Sequence, residues 1–147
     1  MQFAYILLAL AAGACLPSQA GINAQLARFT RDPASAALIS FSVGTLTLLA
    51  YCLVSRVPMP PLGQAGQTSP WLWIGGALGA LVVTSGILLA PRLGAATYMA
   101  LLVAGQLLAS LVLDHHGWLG YEIRSASLPR LLGALLLIIG VVLIRKF

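Results

Sequence analysis

Five long apolar blocks follow one another along the chain, separated by short stretches that hold most of its prolines and all of its acids. Crossing about 30 Å of hydrocarbon takes roughly 20 residues of helix, and each block meets that length. In lipid every backbone polar group must be satisfied within its own segment, so such blocks are read as helices. The pattern predicts an all-α fold, a polytopic membrane helix bundle, with spans at about 3–27, 34–55, 70–90, 94–113 and 128–145. The chain, 1–147, reads as a single transmembrane domain with no internal repeat.

The block boundaries carry their own signals. Asp32-Pro33 before the second block offers an N-cap acid and a proline at the first helical position. The stretch 57–69, with Pro58, Pro60, Pro61, Gly63 and Gly66, predicts an irregular loop. Pro70-Trp71-Leu72-Trp73 places an aromatic belt where the third block enters the membrane. Pro91-Arg92-Leu93-Gly94 predicts a tight turn into the fourth block, and Asp114-His115-His116-Gly117-Trp118 marks the return to the interface. The opening twenty residues share the apolar run and small residues of a secretory signal. No Lys or Arg precedes the run, however, and apolar character resumes after Gln19, so the segment reads as the first membrane helix.

Composition agrees. The chain is 60% hydrophobic and only 7% charged, where soluble domains average about a quarter charged residues, so it lacks the polar side chains to cover a core in water. The net charge of +5 does not point to nucleic acid, because the cations sit singly at block ends rather than massed on one face. With five spans, Arg28, Arg31, Arg92, Arg145 and Lys146 fall on one side and Arg56, Arg124 and Arg130 on the other. A five-to-three split is a weak orientation signal. It fits a chain that inserts both ways up and equally an untidy sequence. Cys15 and Cys52 lie inside apolar blocks without metal-like spacing and read as small core residues.

Polar side chains within a membrane are costly unless they face protein or water, so they mark candidate sites. The densest set runs from Pro17-Ser18-Gln19 to Asn23 and Gln25. Gln19 and Asn23, four apart, share a helix face. Pro17 removes a backbone donor and is read as a helix break that frees carbonyls beside those amides. Amides in such a place bind a ligand or glue helices together, and the spacing leaves both readings open. The second span adds Ser40 with Gly44 four residues on, and the third adds Gly75 and Gly79, a spacing that lets backbones approach, so these glycines are assigned to helix packing. The fourth span carries Tyr98 and Gln106.

Chemistry on a substrate finds no support. Adjacent His115 and His116 diverge by about 100° on a helix and make a poor pair of metal ligands, so no metal site is assigned. There is no Ser/His/Asp arrangement, no HExxH, no phosphate-binding loop and no paired intramembrane carboxylate. No catalytic residue and no cofactor are expected, and the chain does not read as an enzyme.

Several strings are more specific than their spacing. Pro17-x-Gln19-Ala20-Gly21-Ile22-Asn23-Ala24-x-Leu26-Ala27-Arg28 is one, and Ala37-Leu38-Ile39-Ser40-Phe41-x-Val43-Gly44-Thr45 is another. Leu89-Ala90-Pro91-Arg92-Leu93-Gly94-Ala95-Ala96 and Ala104-Gly105-Gln106-Leu107-Leu108-Ala109-Ser110 follow, with Arg130-Leu131-Leu132-Gly133 near the end. Over nearly its whole length the chain resembles the small, single-repeat bacterial inner-membrane branch of the drug/metabolite transporter superfamily. Larger members are similar to two five-span repeats of opposite orientation. The resemblance therefore implies an antiparallel homodimer, or a pairing with a paralogue, that moves an unidentified small molecule by alternating access. It also implies that Gln19, Asn23, Ser40, Tyr98 and Gln106 line the pathway, and that the fifth span, with Gly133 and Gly140, packs between subunits. Related four-span exporters carry a first-helix Glu, and this chain has none there. The rival expectations are a non-transporting accessory or scaffold subunit and a flippase for a lipid-linked substrate.

Overall fold

The computed structural model describes residues 2–58 and 68–147, so Pro60, Pro61, Gly63 and Gly66 of the expected loop lie outside the described residues. The described residues form α1 (Gln2–Thr30), α2 (Pro33–Val54), α3 (Ile74–Leu93), α4 (Ala95–His116) and α5 (Leu128–Lys146), with single 3₁₀ turns at Pro70–Trp73 and Trp118–Gly120. All five helices are long and apolar enough to cross a membrane. Their large side chains face outward: Leu8 is 68% exposed, Leu53 69% and Leu136 68%. In water such faces would drive association, whereas against lipid tails they are matched to their solvent. The contacts cluster into two compact units, Met1–Pro91 and Arg92–Phe147.

In the first unit, α1 and α2 make a hairpin with a two-residue link, Arg31-Asp32. Arg31 takes a left-handed φ of 58°, which ends α1. The Asp32 carboxylate then caps α2, accepting from the Ser35 amide and the Ser35 hydroxyl, each at 2.7 Å. The Ser35 hydroxyl, with the amide second, holds this carboxyl below its usual range. The hairpin closes over small residues, Ala36 and Ala37, with Leu26 and Ala27 of α1 and Val83 and Ile87 of α3 packed around them. The Phe41 ring lies 3.5 Å from where a Cβ on Gly79 would stand, so this glycine seats an aromatic ring.

Two expectations are corrected here. Pro17 is not a helix break, since α1 runs as one 29-residue helix with the proline inside it. Proline deletes one ladder donor, here the partner of the Gly13 carbonyl, but the turns on either side remain closed. The Ser18 hydroxyl also donates to the Ala14 carbonyl at 3.3 Å. Likewise α3 continues through Pro91 to Leu93 instead of ending at Ala90. In a final turn the missing donor costs a single bond. The stop comes at Gly94, whose φ of +85° belongs to a region that other residues rarely adopt.

In the second unit, α4 and α5 are joined by a connection that folds back on the end of α4. Gly117 ends α4 with φ +64°, and a Cβ there would stand 2.6 Å from Cγ1 of Ile123. Only glycine suits both demands. The Arg124 amide donates to the Asp114 carbonyl at 2.8 Å, and the Ala126 amide donates to Nδ1 of His115 at 3.2 Å. The Arg130 guanidinium bridges the Asp114 carboxylate and the Arg124 carbonyl, both at 3.3 Å. His116 stacks on Trp118 with ring centroids 4.8 Å apart. Tyr98, Ala134 and Val141 are the buried side chains of this unit.

Candidate functional site

The polar residues of α1 and α2 divide into those satisfied on their own helix and those that are not. The hydroxyls of Ser18, Ser42 and Thr47 each donate to the carbonyl four residues back, at 3.3, 2.9 and 2.8 Å. That local bond is how a hydroxyl lives inside a membrane helix. Gln19, Asn23 and Ser40 make no side-chain hydrogen bond among the described residues. Asn23 is the sharpest case, because it is only 4% exposed and is the one buried polar side chain among the described residues.

These three side chains meet at a cavity of about 680 Å³ between α1 and α2. Its α1 wall presents Cys15, Gln19, Ile22, Asn23 and Leu26, a three-and-four spacing that gathers one helix face. Its α2 wall presents Ile39, Ser40 and Val43. A recess of about 220 Å³ also adjoins Gln19 and Ser40 and extends to Gly44, Thr45 and Val83. A Cβ on Gly44 would meet nothing within 4 Å, so the missing side chain there leaves room in the recess. The larger volume is in the range of small-molecule sites, which are mostly apolar with a few placed polar groups. Among the described residues no buried side-chain nitrogen or oxygen lacks a partner, so the unpartnered amide atoms of Asn23 are open to the cavity, where a ligand with hydrogen-bonding atoms reaches them.

The remaining candidates lie elsewhere. Tyr98 and Gln106 are on α4 in the second unit, Tyr98 buried at 5% and Gln106 exposed. Of the glycines assigned to packing, a Cβ at Gly75, Gly133 or Gly140 would meet nothing within 4 Å, while Gly79 faces Phe41. Gly140 belongs to an almost wholly apolar groove of about 380 Å³ along α4 and α5. Among the described residues no group of three or more His, Cys, Asp or Glu could hold a metal.

Sequence reasoning passed over the apolar walls of the cavity and over one reactive side chain in them. Cys15, read as a core position, is exposed in the chain and lines the cavity. The signal was available, since Cys15 stands four residues before Gln19 on the same face.

A family model described as "putative inner membrane exporter, YdcZ" matches residues 4–143. The chain belongs to this family. The YdcZ match takes in all but the ends of the five helices and places the chain in the inner membrane as a multi-pass protein of an exporter family, which is a transport class and not an enzyme class. No curated protein and no solved structure matches the chain.

Proposed function

We propose that this YdcZ-family chain exports a small molecule across the inner membrane by alternating access, using the α1–α2 cavity as its binding site. The observation that carries the reading is Asn23, buried, unpartnered and set in the wall of a ligand-sized cavity. A packing residue in that place bonds to the facing helix, and Asn23 does not. Everted inner-membrane vesicles containing the chain, incubated with a total small-molecule extract, accumulate at least one compound that vesicles lacking it do not. Equal uptake in both contradicts the proposal.

The working unit is an antiparallel homodimer. The open surroundings of Gly133 and Gly140 on α5 support it, and the five-to-three division of cations between the two faces is compatible with it. A single Cys introduced at the C-terminus, in a Cys15→Ala, Cys52→Ala background, is labelled from both sides of the membrane if the chain inserts both ways up. Labelling from one side alone rules out the antiparallel homodimer, leaving a different partner chain, and raises the accessory-subunit alternative.

A further inference from the structure

We infer that the α1–α2 cavity selects an uncharged molecule whose polar head is a carboxamide, urea or lactam and whose body is apolar; this rests on the exporter reading above. Charge supplies the exclusion. The chain has three acidic residues, Asp32, Asp114 and Glu122, and each sits at a helix end or in a connection. Its Lys and Arg residues are likewise confined to last turns, first turns and connections. No wall of the cavity therefore carries a formal charge. A second copy of the chain brings none to the middle of the membrane either. A quaternary ammonium or a carboxylate entering here gives up its hydration without meeting a counter-charge, whereas a neutral polar group gives up far less.

Asn23 supplies the selection. Its amide offers an N–H donor and a carbonyl acceptor side by side, and neither has a protein partner among the described residues. A ligand hydroxyl or ketone answers this pair with a single good bond. A primary amide, urea or lactam answers it with two, in one plane, because it carries the complementary acceptor and donor on adjacent atoms. Gln19, one turn earlier, and Ser40, on the facing helix, extend the same polar patch. Beyond the patch the cavity is walled by Ile22, Leu26, Ile39 and Val43, which suit an apolar body.

Cys15 in the same wall reports occupancy. The full chain carrying Cys52→Ala is reconstituted in liposomes, and the rate of Cys15 modification by N-ethylmaleimide is followed. Three probes that share a naphthalene body are added at equal concentration: 2-naphthamide, 2-naphthoate and (2-naphthylmethyl)trimethylammonium. The amide slows modification by about tenfold, neither charged probe changes it, and Asn23→Leu abolishes the protection while the unfolding temperature does not fall. Protection by a charged probe equal to that by the amide overturns the inference, as does amide protection that survives Asn23→Leu, or no protection by any probe. The vesicle experiment separates the two proposals. Chain-dependent accumulation alongside protection by a charged probe removes the ligand class and leaves the exporter reading standing. Amide protection without any chain-dependent accumulation does the reverse.

Discussion

The α1–α2 seam and the α4–α5 seam are built from similar helices and hold their polar groups in opposite ways. At the first, a buried amide, a second amide and a hydroxyl stand around a cavity without partners among the described residues. At the second, the groove along the helices is apolar, and one end is fastened by polar groups, where Asp114, His115, Arg124 and Arg130 bond to one another or to nearby backbone. Length and apolar content do not separate the two pairs. A buried amide without a protein partner does, since Asn23 has no counterpart among the described residues of α4 and α5. On the proposed reading the α4–α5 pair holds its shape, and the α1–α2 pair keeps interaction in reserve for a molecule that comes and goes.

The largest expected effect breaks the fastening of the second seam. Gly117→Val places a side chain 2.6 Å from Ile123 and demands a positive φ of a β-branched residue. It destabilises the chain by about 3 kcal/mol in thermal unfolding in detergent. A smaller loss there leaves the α4–α5 connection loose and the contrast weaker.

Next comes a pair of opposed substitutions. Val141, 7% exposed in α5, becomes a buried unpartnered amide in Val141→Asn, which costs about 2 kcal/mol. Asn23→Leu exchanges an unpartnered amide on α1 for an apolar group of the same branching and raises stability by about 1 kcal/mol. Opposite signs from two single exchanges mark which seam has given up stability for binding. A loss of stability in Asn23→Leu indicates that the amide is structural.

The smallest effect is a dependence on pH. Because Ser35 holds the Asp32 carboxyl below its usual 3.8, the unfolded state binds more protons in the interval between the two values. The cap's contribution is complete above pH 3.8 and is lost as pH falls through the lower folded value. Protection of the Ser35 amide against hydrogen exchange, taken relative to its intrinsic rate, falls on acidification through this window in the natural chain and not in Asp32→Asn, which caps at every pH.

Much of this was legible from residue order because the signals are local. Apolar blocks of membrane length set the five helices, Asp32-Pro33 set the start of α2, and four-residue spacing put Gln19 beside Asn23. What escaped the sequence depends on context. Pro17 and Pro91 both look like stops, yet a helix tolerates the loss of one donor where its neighbouring turns stay closed, so α1 and α3 run through them. Cys15 looks like filler until the opposite wall is known. The bonding between the end of α4 and the start of α5 joins residues as far apart as Asp114 and Arg130, and no periodicity announces it. The lack of a partner for Asn23 is also invisible in a sequence, since it is a property of what the facing helix does not offer.

The most direct test compares the two seams in one assay. Everted vesicles carrying the natural chain, Asn23→Leu or Val141→Ala, matched for protein amount, are assayed for the initial rate at which they accumulate the exported compound. The account predicts a loss of about tenfold or more for Asn23→Leu and a rate within about twofold of the natural chain for Val141→Ala. Unchanged transport by Asn23→Leu, or equal losses in both variants, would contradict a binding site between α1 and α2.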